Sequence, residues 1–340
     1  MIKIERPGRF ILFIIAVLVL LVLIITGLFK LVWGTTTIQK SGDFTIEEGI
    51  TANQVWQKIV IEGYTARTTS WKYYAWRHDA ANNIQSGKYL LNKGERIAGV
   101  IQRFMSGDTM PDELSITYPE GFTLQQIAAR TAGKNIGTEE SFIDSASPKK
   151  YIETYPFLDD LSVARNLEGY LFPDTYRVTA EDTPTEVIER LLANFARQVT
   201  PELREEAINN GRSLDQIVTM ASIIEREVIS DDDMATVSGV LWKRYDEETG
   251  LDADATVRYA LGKWKGPLTY QDLQIDSPYN TRRYRGLPPG PISNPGIRAI
   301  IAAIRPELSD YYYYLSTPEG QTIFSKTNDE HNANKAKYLK

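Results

Sequence analysis

The sequence predicts an α+β protein with a single N-terminal membrane helix, a small α+β module and a larger α+β domain. Three observations carry this prediction. Residues 10–29 form an uncharged apolar run, short strand and helix patterns alternate after residue 44, and longer helical patterns with a Pro/Gly-rich stretch follow residue 147. The chain has 340 residues, of which 42% are hydrophobic and 24% charged, which is enough for two ordinary cores.

Composition and charge exclude several classes of function. The sequence has no cysteine and two histidines, His78 and His331, which excludes thiol nucleophiles, disulfides and thiolate zinc sites. The net charge of −6 argues against a nucleic-acid partner. The sequence also lacks a Walker loop, a dinucleotide fingerprint and a serine-centred elbow. The side chains that remain for catalysis are mainly carboxyls.

Residues 10–29 are predicted to span a membrane, because about twenty helical residues cover the roughly 30 Å apolar core of a bilayer. Lys3, Arg6 and Arg9 precede the run, so the positive-inside rule predicts a cytoplasmic stub at 1–9. A linker at 30–43 then leads to an extracytoplasmic body. The alternative is a cleaved signal peptide, but the run exceeds the usual signal core and no Ala-x-Ala site follows it. We therefore expect a single-pass protein of the cell membrane.

A small α+β module is predicted at 44–146, with a connecting β-α unit near its end. Its patterns are a strand at 44–46, a helix capped by Thr51, a helix at 71–78, a strand at 87–91, a helix at 95–105, a strand at 114–118 and a helix at 123–132. The aromatic residues of the second helix favour a core role over a sugar-stacking surface; they are Trp71, Tyr73, Tyr74 and Trp76. Short units of this kind suggest binding or spacing.

The larger α+β domain is predicted at 147–340. Longer helices are predicted at 184–198 and 214–229. The prolines of 287–296 exclude a helix or a central strand, so we expect a rigid loop that forms a wall or lid of a site. Residues 311–314 are four tyrosines with strand character. Alternation along a strand would bury two and expose two, but we favour a buried strand beside a site.

The helix at 214–229 contains the most informative carboxyl. At about 100° per residue, Glu227 falls among Ile224, Met220 and Ile223, whereas Glu225 falls outside the centre of that apolar arc. A carboxyl on an apolar face is desolvated, which raises its pKa and keeps a proton available to a general acid. The alternative is that Glu227 reaches water at the helix end and pairs with Arg226 or a neighbouring basic residue.

Other polar residues stand among apolar stretches, which suggests a lined cleft. They are Glu168, Asp174, Asp252, Asp254 and Asn280. Each has a structural alternative, because Asp and Asn also cap helices and close turns.

Several motifs in a fixed order carry a resemblance to a known family. They are LEGYLFPDTY at 167–176, ASIIERE at 221–227, SPYNT at 277–281, GLPPGPI at 286–292, NPG at 294–296, FS at 324–325 and EHN at 330–332. Together they resemble the endolytic murein transglycosylase (YceG-like) family. The resemblance covers the apolar N-terminal run, a small LysM-like module within 44–146, and the chain from about residue 166 to its end.

The resemblance implies a catalytic domain at 147–340 that cleaves the MurNAc-GlcNAc β-1,4 bond of nascent peptidoglycan and leaves a 1,6-anhydroMurNAc end. It implies that Glu227 is the catalytic acid and base, and that no metal or cofactor is required. It also implies a substrate-binding cleft, whose residues are Glu225, Glu168, Asp254, Tyr279, Asn280, Asn294, Glu330 and His331. The implied partners are peptidoglycan glycan strands and cell-wall synthases.

A single carboxyl suffices for this chemistry, because the C6 hydroxyl of the substrate is the nucleophile and is already tethered. Two rival functions stay open. One is a muramidase-type hydrolase, in which Glu225, Glu168 or Asp254 supplies a second carboxyl. The other is a non-catalytic scaffold that binds murein.

Two positions depart from the family pattern. Ala255 stands where proline is usual, which is expected to change only the stiffness of a loop. Thr322 stands in the segment where a histidine usually precedes Phe-Ser, which removes a group that could contact substrate.

Overall fold

Helices and short antiparallel strands make up the chain, which confirms the predicted α+β class. The structure is a computed structural model and describes residues 7–33, 37–110, 114–159, 161, 165–228 and 230–339. The chain divides into two compact units, Met1–Asp112 and Glu113–Lys340.

The first helix, α1, spans Pro7–Trp33. Its side chains are described from Ile11 to Gly27, and the large apolar ones are exposed. Among the described residues, no helix is long and apolar enough to cross a membrane. The membrane span at 10–29 therefore stays a prediction. Residues 1–6 and 34–36, which belong to the predicted stub and linker, lie outside the described residues.

In the part of the first unit that the structure describes, one strand pair packs with three α-helices that follow α1. Its elements are β1 (Gly42–Ile46), α2 (Ala52–Ile61), α3 (Thr69–Arg77), β2 (Gly87–Leu91) and α4 (Ile97–Ser106). The strands are antiparallel, with Phe44 opposite Tyr89. Thr51 caps α2 through a capping box, as predicted.

The aromatic residues of α3 divide between core and surface. Trp71 is fully buried and stacks between Trp56 and Phe104, at ring-centre distances of 5.3 and 6.2 Å. Trp76 is 77% exposed and Tyr73 is 39% exposed. The prediction of a core role is therefore confirmed for Trp71 and wrong for Trp76, because the rings project from different faces of one helix.

The second unit contains two strand pairs and nine helices within the described ranges. Its elements are β3 (Leu114–Thr117), α5 (Leu124–Ala132), α6 (Glu139–Ser145), β4 (Thr175–Val178), α7 (Pro184–Gln198), α8 (Pro201–Asn209), α9 (Leu214–Glu227), α10 (Asp231–Asp246), α11 (Asp254–Leu261), α12 (Ile297–Ile304), β5 (Tyr313–Ser316), β6 (Thr322–Ser325) and α13 (Asn328–Tyr338). The helix predicted at 184–198 is confirmed as α7.

The boundary between the units differs from the boundary predicted at residue 147. Strand β3 pairs antiparallel with β4, about sixty residues further along the chain, and places Ile116 opposite Tyr176. Helices α5 and α6 contribute Ile127 and Phe142 to the core of the second unit. The β-α unit at 114–132 thus lies in the second unit, because its strand partner and its core are there.

Helix α9 lies at the centre of the second unit. Its residues from Ile217 to Ile224 are all buried, and it packs against α8, α10, α11 and α12. Ser213 caps its start through a capping box, and the chain becomes extended at Val228. Glu227 is therefore the last residue of α9 and lies just beyond the buried part of the helix.

The segment 287–296 forms neither helix nor strand, as predicted, and most of it is buried. Pro291 lies so close to Gly169 that a side chain there would collide with it, and Gly169 has φ +92°, which favours glycine. The four tyrosines at 311–314 are all half-buried, so the predicted alternation is wrong. Only Tyr313 and Tyr314 belong to β5, which pairs antiparallel with β6.

Candidate active site

Glu227 lines a cavity of about 430 Å³ in the second unit. The residues that line it are Glu227, Arg244, Leu251, Asp252, Asp254, Arg282, Tyr313, Tyr314, Leu315, Ser316, Asn328, His331, Lys335 and Leu339. A larger hollow, of about 610 Å³, lies beside Trp242 and contains none of the predicted site residues. The carboxyl chemistry is thus in the smaller and more polar cavity.

Both carboxyl oxygens of Glu227 accept a hydrogen bond. The backbone N–H of Ala255 donates to Oε1 at 3.1 Å, and the hydroxyl of Tyr314 donates to Oε2 at 3.5 Å. A backbone N–H can only donate, so Oε1 has a fixed acceptor role. A proton on the carboxyl is therefore placed on Oε2, next to Tyr314.

A buried polar network holds the N–H of Ala255 in place. Asn280 is fully buried, and its amide donates to the carbonyl oxygens of Leu273 and Ile275. The next residue, Thr281, accepts from the N–H of Ala253 at 3.2 Å, directly before α11. Thr281 therefore supports the start of α11, whereas the side chain of Asn280 is hydrogen-bonded to Leu273, Ile275 and the N–H of Arg282.

Burial raises the pKa of Glu227, and the negative charge of Asp254 raises it further. The N–H of Ala255, the positive charge of Arg282 and the hydroxyl of Tyr314 act in the opposite direction. Burial is the largest of these effects. Glu227 therefore keeps its proton to a higher pH than an exposed glutamate.

Two ion pairs lie on the cavity wall. Asp254 pairs with Arg282 at 2.7 Å, and Asp252 pairs with Arg244 at 2.7 Å. Asp252 has φ +53°, a conformation that aspartate adopts rarely and that its ion pair helps to hold. Of the carboxyls predicted to line a cleft with Glu227, Asp252 and Asp254 share its cavity.

The two adjacent residues predicted near the C-terminus separate in space. His331 is 9% exposed, lines the cavity and stacks on Tyr313 at a ring-centre distance of 5.2 Å. Burial and the positive charges of Lys335 and Arg244 lower its pKa. Glu330 is exposed, and its carboxyl accepts from the N–H groups of Lys326 and Thr327, which caps α13.

Glu225 lies outside the Glu227 cavity, because two residues along a helix point in different directions. Its carboxyl accepts from the N–H of Gly296 at 3.0 Å, at the start of α12. Burial raises the pKa of Glu225 to about 7, and the nearby charge of Glu120 raises it as well.

Glu168 and Asn294 are a buried, hydrogen-bonded pair, which we call the clip, and both residues lie outside the cavity. Oε1 of Glu168 accepts from the N–H of Leu124 and from the amide of Asn294, both at 2.9 Å. Burial raises the pKa of Glu168 to about 8. Tyr259 donates to Oε2 at 3.3 Å, and the ring of Tyr279 packs on Tyr259 at 4.9 Å.

The cavity therefore contains Glu227, Asp252, Asp254 and His331 of the predicted residues. The other seven lie elsewhere in the unit; they are Glu225, Glu168, Asp174, Tyr279, Asn280, Asn294 and Glu330. Arg282 and Lys335 line the cavity without having been predicted, because isolated basic residues give no sequence signal. Among the described residues, no group of three or more acidic or histidine side chains could hold a metal ion.

The departure at Ala255 has a direct contact with Glu227. The alanine was expected to change only loop stiffness, which is wrong, because its N–H donates to Oε1 and a proline has no N–H. Thr322 lies on β6 opposite Ser316 and is not among the residues that line the cavity.

An α+β domain with a proton-holding carboxyl in a polar cavity is typical of enzymes that use general acid catalysis. The profile of the YceG-like family matches residues 44–337. An endolytic murein transglycosylase of Bacillus subtilis is 36% identical over 279 residues, which covers 79% of this chain and 77% of that protein. The chain belongs to the YceG-like family, whose named relatives are enzymes.

Two further comparisons agree with this family. An endolytic murein transglycosylase of Streptococcus pneumoniae is 27% identical over 320 residues, which covers 86% of this chain and 58% of that protein. The crystal structure of a yceG-like protein from Listeria monocytogenes superposes with a TM-score of 0.61 and 30% identity. It covers 87% of this chain and 99% of that one.

Proposed function

We propose that the protein is a membrane-anchored endolytic lytic transglycosylase of peptidoglycan. It cleaves the β-1,4 bond from MurNAc to GlcNAc and leaves a 1,6-anhydroMurNAc end. The single observation that carries the proposal is the environment of Glu227, a half-buried carboxyl with a raised pKa that lines a polar cavity and whose two oxygens each accept a hydrogen bond. Membership of the YceG-like family supports the substrate class.

The reaction needs one proton shuttle. Glu227 donates the proton on Oε2 to the glycosidic oxygen as the bond from C1 of MurNAc breaks, and GlcNAc leaves with a free hydroxyl. The carboxylate then removes the proton of the C6 hydroxyl, whose oxygen bonds to C1. The proton returns to Glu227, and no water is consumed.

The surroundings of Glu227 suit both steps. A raised pKa favours the protonated form of Glu227 that the first step needs. The N–H of Ala255 and the hydroxyl of Tyr314 stabilise the carboxylate that forms after proton transfer. The attacking hydroxyl belongs to the same sugar ring, so its effective concentration is high.

The rival muramidase reaction needs a second carboxyl near the bond. Glu225 and Glu168 lie outside the cavity and accept hydrogen bonds from backbone N–H groups. Asp254 is inside the cavity but paired with Arg282. This arrangement favours a reaction with one acid-base carboxyl.

Product analysis tests the reaction class. The full chain, purified in detergent, is incubated with peptidoglycan strands, and the ends are identified by mass spectrometry. Anhydro ends are expected. Reducing ends without anhydro sugar would instead indicate a hydrolase, and intact strands would indicate the scaffold.

We also propose that residues 10–29 anchor the protein, with the N-terminus cytoplasmic and the catalytic domain outside. The exposed apolar side chains of α1 from Ile11 to Ile25 support this, because water would not stabilise them. In this arrangement the part of the chain after the anchor, which includes the LysM-like module, lies outside the membrane and has access to nascent strands and cell-wall synthases. A fusion at residue 1 that reported an external terminus would contradict the topology.

A further inference from the structure

The lining of the Glu227 cavity includes one cation that no carboxylate of the lining pairs with. Its cations are Arg244, Arg282 and Lys335. The two arginines pair with Asp252 and Asp254. Lys335 is exposed and forms no ion pair within the described residues. When Glu227 holds its proton, the lining therefore has one cation in excess.

The excess charge lies at one end of α13. Lys335 follows His331 by one helical turn, so both side chains face the cavity from the same side of the helix. His331 stacks on Tyr313, and the guanidinium of Arg244 lies 5.4 Å from the centre of the same ring. We call His331, Lys335 and Arg244 the basic corner. Because burial keeps Nδ1 of His331 from any partner in the described structure, the corner contains a polar atom whose hydrogen bonding is unmet.

We propose that the basic corner binds a carboxylate carried on the lactyl arm of the MurNAc ring whose glycosidic oxygen Glu227 protonates. The inference rests on the proposed function and names the part of the substrate that this cavity recognises.

The chemistry of the substrate leads to this choice. The N-acetyl sugars of the strand are uncharged, and its carboxylates are on the lactyl arm or on the peptide stem attached to that arm. The arm is on C3 of the ring whose C1 reacts, so its anion lies within one sugar of the acid. A cavity of about 430 Å³ has the size of pockets that hold one small-molecule group. Pairing at Lys335 would thus also set which face of the ring meets Glu227.

Three matched substrates test the proposal. The first has peptide stems with free carboxylates, the second has the stems removed so that the lactyl carboxylate is free, and the third has stems whose carboxylates are converted to amides. The full chain in detergent is expected to have a kcat/KM about fivefold higher on one of the first two than on the third. Whichever of the two is preferred identifies the source of the carboxylate.

In Lys335→Gln, the ratio of kcat/KM on the preferred charged strand to kcat/KM on the amidated strand is expected to fall close to one. Lys337→Gln, an exposed lysine of the same helix outside the cavity, is the control and is expected to keep the wild-type ratio. The wild-type preference should also fall as salt is added, because exposed charges are screened.

Two results would overturn the proposal: equal kcat/KM on charged and amidated strands, or a preference that survives in Lys335→Gln. Both would leave the proposed function intact, because anhydro ends would still form. A wild-type protein that yields no anhydro ends from any strand would instead contradict the proposed function.

Discussion

The acidity of Glu227 depends on a few neighbours that act in opposite directions. Burial and Asp254 raise its pKa, whereas Ala255, Arg282 and Tyr314 lower it. Because an acid must be protonated to begin the reaction, loss of its proton should define the alkaline limb of the pH profile. Substitution of each neighbour should therefore move that limb in a known direction.

Tyr314→Phe should move the alkaline limb of kcat/KM to higher pH. The substitution removes the hydroxyl that stabilises the carboxylate, so the pKa of Glu227 rises. The measurement is the pH dependence of kcat/KM for release of anhydro ends. Tyr312→Phe is the control, because that hydroxyl donates to Glu247 outside the cavity. A limb that moved to lower pH would contradict the assignment of the limb to Glu227.

Asp254→Asn should move the same limb to lower pH. The change removes a negative charge beside Glu227 and leaves Arg282 without its partner, and both effects favour the carboxylate. The same pH profile measures it, with Asp276→Asn as an exposed control that also loses an arginine partner. If Asp254 were instead the second carboxyl of a hydrolase, the variant would lose activity at every pH.

At the scale of elements, Asn294 ties the loop 287–296 to two other segments. Its Oδ1 accepts from the N–H groups of Gly169 and Leu171, and its amide donates to Phe122 and Glu168. Asn294 was predicted to line the cleft, but in the structure its side chain is hydrogen-bonded to other groups of the protein.

Asn294→Ala should lower the free energy of unfolding by about 3 kcal/mol, because two buried N–H groups lose their acceptor. Urea unfolding measures the change, and Asn332→Ala on the exposed side of α13 is the control. A change below about 0.5 kcal/mol would mean that the clip does not stabilise the loop.

Local signals made many elements predictable, whereas pairings distant in sequence were not. Thr51 and Pro184 mark helix starts by their own chemistry, and the prolines of 287–296 exclude regular structure. The pairing of β3 with β4 joins segments about sixty residues apart, so no local pattern indicated that the β-α unit at 114–132 packs in the second unit. Lys335 and Arg282 came to the cavity through packing alone.

At the scale of the whole molecule, Glu168 should make stability depend on pH. Its pKa is raised from 4.5 to about 8 in the folded state. Between pH 4.5 and about pH 8 the folded protein therefore holds a proton on Glu168 that the unfolded chain has lost. The stabilisation is complete below about pH 4.5 and is lost as the pH rises to about 8, at up to about 1.4 kcal/mol per pH unit.

Glu168→Gln mimics the protonated carboxyl and should remove this dependence. As the pH rises from 5 to 9, the melting temperature of the wild type should fall relative to that of Glu168→Gln. Glu319→Gln, in the exposed turn between β5 and β6, is the control. A constant difference would show that Glu168 is ionised throughout the range.

The helical wheel alone could place Glu227 among apolar neighbours, and the structure agrees with that placement. It also placed Glu225 outside the centre of that apolar arc, but it could not reveal that the Glu225 carboxyl accepts from the N–H of Gly296, because the two residues are 71 positions apart in the chain. The role of Glu227 therefore depends on the cavity, which forms from α9, α11, β5 and α13 together.

The most direct measurement compares Glu227→Gln with Glu225→Gln on the same peptidoglycan strands. Anhydro ends released by the full chain are counted by mass spectrometry, after melting curves confirm that both variants fold. Our account predicts that Glu227→Gln loses activity by at least about a hundredfold, while Glu225→Gln keeps most of it. Anhydro ends produced by Glu227→Gln at the wild-type rate, or lost only in Glu225→Gln, would contradict the assignment of the acid to Glu227.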